Sequence, residues 1–250
     1  MTSEPGTAGV GKLGLCSGCS HYPDFLKAGR CTPGDACIRA HSGRQIDRFL
    51  RQNRDEAAKY LDDIFWERRA IAARYAPIAA IDHLKSDPDE VVRRVVATRL
   101  PIEQLAGMIG DPDREVRLSV ATRLPEALLV RLLDDGDYLI RATVARRLPH
   151  GQLAKLARDG EREVRKVVAS RLPPFALHLL AGDAEPEVRA IVAERALPGL
   201  AATLLNDPEW WVRLAAVGNA PLEFLPPLTE DPEVEVREAA QARLAESEAA

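Results

Sequence analysis

Apolar residues recur along this chain on a 24-residue beat, and within each beat they follow helical spacing. Val116, Val120 and Leu124 fall four apart, and Ala121 widens the stripe. The same pairs return as Val96-Ala97, Val144-Ala145, Val168-Ala169 and Val192-Ala193. Leu-Pro steps close each stripe at Leu100-Pro101, Leu124-Pro125, Leu148-Pro149 and Leu172-Pro173. Proline cannot continue a helix and biases the residue before it away from α. The pattern predicts an α-helix of roughly twelve residues in each unit. About eight residues then remain, with apolar side chains at spacing three (Leu105 and Met108, Leu129 and Leu132, Leu153 and Leu156, Leu177 and Leu180, Leu225 and Leu228), which suits a 3-10 turn or one or two α turns. Strand-like alternation is missing.

Polar residues keep the same register. Asp63, Asp87, Asp111, Asp135, Asp159, Asp183, Asp207 and Asp231 are spaced by 24, and each is followed six residues later by an arginine, from Arg69 to Arg237. The aspartates are expected to be helix N-caps, with Pro88, Pro112, Pro208 and Pro232 at the first helical position. Arg117 falls within the apolar stripe, and a buried guanidinium needs a partner. The aspartate and arginine series therefore read as a structural ladder (Asp87, Arg93, Asp111, Arg117, Asp135, Arg141, Asp159, Arg165, Asp183, Arg189), each arginine pairing within its own unit or the adjoining one. A second series (Arg99, Arg123, Arg147, Arg171, Arg195, Arg243) lies at the edge of the stripe and is expected to reach solvent or an acidic partner.

One such unit cannot bury its own apolar face, so neighbours must stack into an all-α solenoid. The unit from Asp63 carries Phe65, Trp66 and Arg68, and the truncated unit from Asp231 ends in Glu246, Ser247 and Glu248. Atypical end units are what a capped stack requires. Ala196-Leu197-Pro198 shifts the proline and Gly218-Asn219-Ala220-Pro221 loses the arginine, so stacking is expected to be least regular there.

All four cysteines lie in the first 37 residues, as C-x2-C-x11-C-x5-C at Cys16, Cys19, Cys31 and Cys37. A four-thiolate metal site orders a small loop-rich segment, and Ser17, Gly18, Pro23, Gly29, Pro33 and Gly34 let the chain curl between ligands. Zinc sites usually show two tight pairs, and only one is present here. The uneven spacing suits an iron–sulfur cube, so iron–sulfur and zinc both stand on the residues alone. His21 and His41 flank the set and could replace one cysteine, but with four thiols present they are expected at the surface. Six arginines between Arg30 and Arg54 meet only Asp35 and Asp47, beside an amphipathic face of Ile46, Phe49 and Leu50 expected to dock the cysteine segment on the first repeat.

The 250 residues carry a net charge of -4, with 46% hydrophobic and 29% charged residues, an ordinary globular composition. No apolar run approaches the ~18 residues of a membrane helix, and Met1–Leu15 has no core suited to a secretory signal, so a cytoplasmic protein without membrane contact is expected. The slightly acidic balance does not indicate protein-wide attraction to nucleic acid. Gly6 to Lys12 matches a phosphate-loop spacing, but Leu13 replaces the Ser or Thr and no strand precedes it, so the stretch reads as a tail. His83, His150 and His178 fall at different points of the repeat, and no catalytic motif stands out. Trp210-Trp211 reads as core filling or as an exposed contact. The expected organisation is a tail over 1–14, a cysteine module with its docking helix over 15–62, and eight repeats over 63–250.

The unit built of Asp-Pro, Val-Arg, Val-Ala and Arg-Leu-Pro resembles the leucine-rich repeat variant family, over 63–250 and on into the amino-terminal cysteines. The resemblance implies alternating α and 3-10 helices without strands, coiled into a right-handed superhelix. It also implies a [4Fe-4S] cluster on the cysteine set. The expectation is a non-enzymatic interaction scaffold with a redox or structural cluster, whose partner is another protein. A zinc-binding scaffold and a nucleic-acid-binding solenoid are the alternatives.

Overall fold

The computed structural model describes residues 14–248; Gly6 to Lys12 and nearly all of the 1–14 segment lie outside them. The chain divides into two compact units, Met1–Arg123 and Leu124–Ala250. No strand occurs among the described residues beyond one isolated bridge, Thr32 to Ala36. The α-helices of eight residues or more are numbered here in chain order. The first unit holds α1 (Gly43–Gln52), α2 (Trp66–Tyr75), α3 (Glu90–Arg99) and α4 (Arg114–Arg123). The second holds α5 (Tyr138–Arg147), α6 (Arg162–Arg171), α7 (Pro186–Arg195), α8 (Trp210–Val217) and α9 (Val234–Glu248).

Within each unit, successive long helices pack directly on one another, and short helical connectors return the chain between them. Val92, Val96, Ala97 and Leu100 are fully buried, as are Val164, Val168 and Ala169 in the second unit. Connectors bury their spacing-three leucines: Ile102–Leu105 is α and Ala106–Met108 is 3-10, with Leu105 and Met108 inside. The core is thus a line of Val, Ala and Leu between closely spaced helices.

Local rules explain both helix ends. Leu100, before Pro101, turns to φ -55 and ψ 149 and ends α3 after ten residues rather than the twelve expected. At the amino end, the expected capping role of the recurring aspartate is corrected. The N-cap of α3 is Asp89, whose side chain accepts from Val91 N, and Asp137 does the same for α5. Asp87 stands two residues earlier, accepting from Asp89 N at 2.8 Å in a local turn. Pro88 accordingly lies outside the helix, whereas Pro186 does occupy a first helical position. The carboxylate is displaced from capping because the preceding unit's arginine holds it.

That hold is an interlock between units. Arg69 pairs with Asp87 and Arg93 with Asp111; in the second unit Arg141 pairs with Asp159, Arg165 with Asp183, Arg189 with Asp207 and Arg213 with Asp231. In every one of these the partner belongs to the following repeat.

The second arginine series does not reach out to solvent, and that expectation is also corrected. Arg123 donates to Ala97 O and Leu100 O, and Arg171 to Ala145 O and Leu148 O, the last carbonyls of the preceding repeat's helix. Those carbonyls have no intrahelical donors, so a guanidinium from the neighbour satisfies them. Arg99 and Arg243 act likewise. Where the sequence loses the arginine, Asn219 donates to Ala193 O and Glu194 O instead. The expected irregularity shows at both places: Pro198–Leu204 forms one seven-residue α-helix, and α8 ends at Val217, before Gly218, after eight residues rather than ten, although α7 and α8 still pack directly.

Candidate metal centre

Two short turns and one helix bring the cysteines together. Gly14–Cys16 is a 3-10 turn, and Cys19 N donates back to Cys16 O at 3.1 Å. Gly18 between them has φ 69, a left-handed value that a side chain would strain. The second pair spans a tight loop in which Thr32 N donates to Ala36 O at 2.9 Å, with Gly34 at φ 75. Gln45 on α1 holds that loop twice, its side chain donating to Gly34 O and its carbonyl accepting from Cys37 N.

Cys16, Cys19, Cys31 and Cys37 all line one enclosed pocket, together with Leu15, His21, Tyr22, Pro33, Ile38 and Phe49. All four are free thiols, Cys37 being buried and the others half-buried. Burial pushes the Cys16 thiol up, and so do Cys37 and Cys19 nearby; Cys31 is raised by burial and then by Cys37, Cys19 and Cys16. Thiolates in such a pocket oppose one another unless a shared cationic core compensates them. The donor set therefore fits a metal group bound by all four. Among the described residues, no three His, Cys, Asp or Glu side chains are grouped closely enough to hold one metal ion.

His21 is not at the surface as expected; it is 7% exposed and forms the wall behind the cysteines. Its ring lies 4.2 Å from Phe25 and 5.3 Å from Phe49, and its Nε2 shares a hydrogen bond with the Tyr60 hydroxyl. Burial lowers its pKa, against the pull of Glu56 at 3.8 Å. Burial likewise pushes the Tyr60 phenol up to about 12. His41 is exposed.

Asn53 carried no signal in the sequence. It is fully buried, donates to Arg30 O and Phe49 O at 2.8 Å each, and accepts from Arg30 Nε at 2.7 Å. Arg30 precedes Cys31, so this amide ties the third ligand to the end of α1. Arg30 also forks onto Asp55 and lies 4.1 Å over Phe25. Ile46, Phe49 and Leu50 form the buried face of α1, which packs on α2, and Asp47 accepts from Arg74 and Tyr75 there. Of the other arginines in this stretch, Arg48 pairs with Asp35 and Arg54 lies over Tyr75, while Arg39, Arg44 and Arg51 are exposed.

None of the ladder residues lines the cysteine pocket. In the seventh repeat, Trp210 is 37% exposed, and Trp211 donates to Glu209 at 3.2 Å. No helix among the described residues is long and apolar enough to cross a membrane.

Comparisons with known proteins meet this geometry. Residues 10–59 match the family model described as the LRV protein FeS4 cluster. A solved structure described as a leucine-rich repeat variant with a novel repetitive protein structural motif is 54% identical, with a TM-score of 0.86 over 92% of this chain and 98% of that one. An uncharacterized 27.7 kDa protein in the nifB 3' region of Rhodobacter capsulatus is 37% identical over 85 residues. The match spans 34% of this chain and 34% of that relative's length.

Proposed function

Because this chain belongs to the leucine-rich repeat variant family, we propose that its cysteine module carries a [4Fe-4S] cluster and that its repeats are a non-enzymatic scaffold presenting that module to another protein. The observation that carries the reading is the single pocket lined by Cys16, Cys19, Cys31 and Cys37 inside the matched stretch. Four thiols around one pocket, with only one tight Cys pair in the sequence, suit a multi-iron core better than zinc. Such a cluster supplies one-electron exchange and a covalent staple for the loops around it. Four thiolates leave no open iron for a Lewis-acid reaction, which supports the non-enzymatic assignment.

This chain's own residues then hold and shield. Cys16, Cys19, Cys31 and Cys37 are the ligands, Ile38 and Phe49 keep water from the sulfurs, and Gln45 and Asn53 fix the ligand loops on α1. Free thiols at this density belong to a reducing compartment, which supports a cytoplasmic location.

Anaerobic purification followed by iron, sulfide and zinc quantitation and low-temperature EPR tests the assignment. Four irons and four sulfides per chain, lost together in Cys37→Ser, are expected. A colourless protein with one zinc per chain would overturn it.

A further inference from the structure

The first unit carries an open groove of about 360 Å³ between α1, α2 and α3. Trp66, Ile71, Val91 and Val95 line it, and Trp66 is 38% exposed. At the register of Val91 five other units carry Glu67, Glu115, Glu163, Glu187 and Glu235 and two carry Leu139 and Trp211, while that of Trp66 holds Glu90, Arg114, Tyr138, Arg162, Pro186, Trp210 and Val234. An apolar residue at both registers of one groove recurs only with Pro186 and Trp211. The pairing of Trp66 with Val91 leaves an apolar floor open to a partner.

The charges around the groove indicate which kind. Arg44 lines it, Arg94 is exposed on α3 between Val91 and Val95 in sequence, and Arg51 is exposed on α1 seven residues beyond Arg44. None of the three makes an ion pair among the described residues, whereas Asp47 is already paired. Asp47 accepts from Arg74 and Tyr75, and the Glu67 carboxylate sits against Gly43, the first residue of α1, where the helix dipole favours an anion. Open positive charge around an apolar floor is the complement of an acidic amphipathic helix. A nucleic acid fits less well, since the floor is apolar and the Asp47 and Glu67 carboxylates would face phosphates.

We propose that this groove docks an acidic amphipathic helix of a partner protein, with apolar side chains on Trp66, Val91 and Val95 and carboxylates toward Arg44, Arg51 and Arg94. The opposite face of α1 reaches the cysteine pocket through Phe49, so the docked partner lies one helix away from it. The groove exists whether or not the cysteines hold iron, and its test does not read the cluster.

The probe is a labelled synthetic helix with Leu and Phe at i, i+3, i+4 and i+7 and Glu elsewhere, compared with a scrambled peptide and with poly-uridine RNA. Binding to the full chain is followed by anisotropy and mapped by hydrogen exchange. Micromolar binding that weakens with salt, with protection over 43–51, 66–75 and 90–99, is expected. Val91→Glu installs the residue that five other repeats carry, so folding survives it. It should weaken binding by about tenfold or more, as should Arg44→Glu with Arg94→Glu. Unchanged affinity in Val91→Glu, protection elsewhere, no binding at ~1 mM peptide, or equal binding of the scrambled peptide or the RNA would overturn the proposal.

Discussion

Arg93 grips the carboxylate of Asp111, eighteen residues ahead, through Nε at 2.8 Å and Nη2 at 3.0 Å. Its remaining nitrogen, Nη1, donates to Asp87 O at 2.8 Å in its own repeat. One side chain thus fastens the start of its own helix and the turn before the next. The pair is 11% and 5% exposed, so the charges are compensated largely by each other.

Breaking such a pair leaves a buried charge behind. Arg165→Met strands Asp183 and is expected to cost about 3 kcal/mol in urea unfolding. Adding Asp183→Asn, which keeps the turn acceptor for Glu185 N but removes the charge, should recover part of that loss. A double-mutant cycle with no coupling between the two would sink the interlock.

The same pairs set the acid limit of the fold. Burial pushes Asp87, Asp159, Asp183 and Asp207 up, but the arginine and backbone hydrogen bonds outweigh it and hold each carboxyl below its usual value. For Asp231 the Arg213 hydrogen bond is the leading influence, again downward. A carboxyl depressed in the folded state stabilises fully above its unfolded pKa of about 4, and that stability is lost as pH falls through the lower folded value. Urea midpoints are therefore expected to be flat from neutral pH to about 5 and to drop steeply below about 4.

The carbonyl-capping arginines make a gentler prediction. Arg171→Met leaves Ala145 O and Leu148 O without their donor and should cost about 1–2 kcal/mol. Asn219→Ala removes the substitute donor to Ala193 O and Glu194 O and should cost a similar amount. Both are read from denaturant midpoints. Values within error of the parent would mean that water replaces these donors freely.

In the cysteine module, Asn53→Ala leaves Arg30 O without its donor and Arg30 Nε without its acceptor, while Phe49 O keeps the backbone N–H of residue 53; the expected loss is about 2 kcal/mol, followed by thermal melting. Asn53→Asp keeps the acceptor for Arg30 but cannot donate, so it should fall between the parent and alanine.

Stripping iron under anaerobic, reducing conditions should raise amide exchange over 14–42, where the described backbone is mostly turns, while α3 and α4 keep their protection. Equal deprotection of α3 and α4 would show that the metal organises the repeats as well.

The register of 24 and the Leu-Pro steps made the repeat, its helices and its core legible in the sequence. Packing one helix on the next depends only on residues that recur in each unit. The cysteine spacing pointed to a metal-binding module for the same reason, since the type and number of candidate ligands are written in the chain. Three things were not legible. The wheel placed Arg117, and by its register the whole series, on the apolar stripe, but did not say whether Arg93 reached Asp87 or Asp111; that depends on how far one repeat rises over the next. Arg171 looked peripheral on its own helix because its acceptors, Ala145 O and Leu148 O, belong to the previous one. Asn53 carried no pattern and His21 only its place beside the cysteines, since both owe their burial to Phe49 and its neighbours closing over the cysteine loops.

The sequence by itself determined the helices, their spacing and the thiol set, because these follow from local propensity and periodicity. Only the tertiary structure decided which carboxylate each arginine binds, which carbonyls the second series caps, and that the four sulfurs share one pocket. Those outcomes depend on distances between residues far apart in the chain, which packing alone sets.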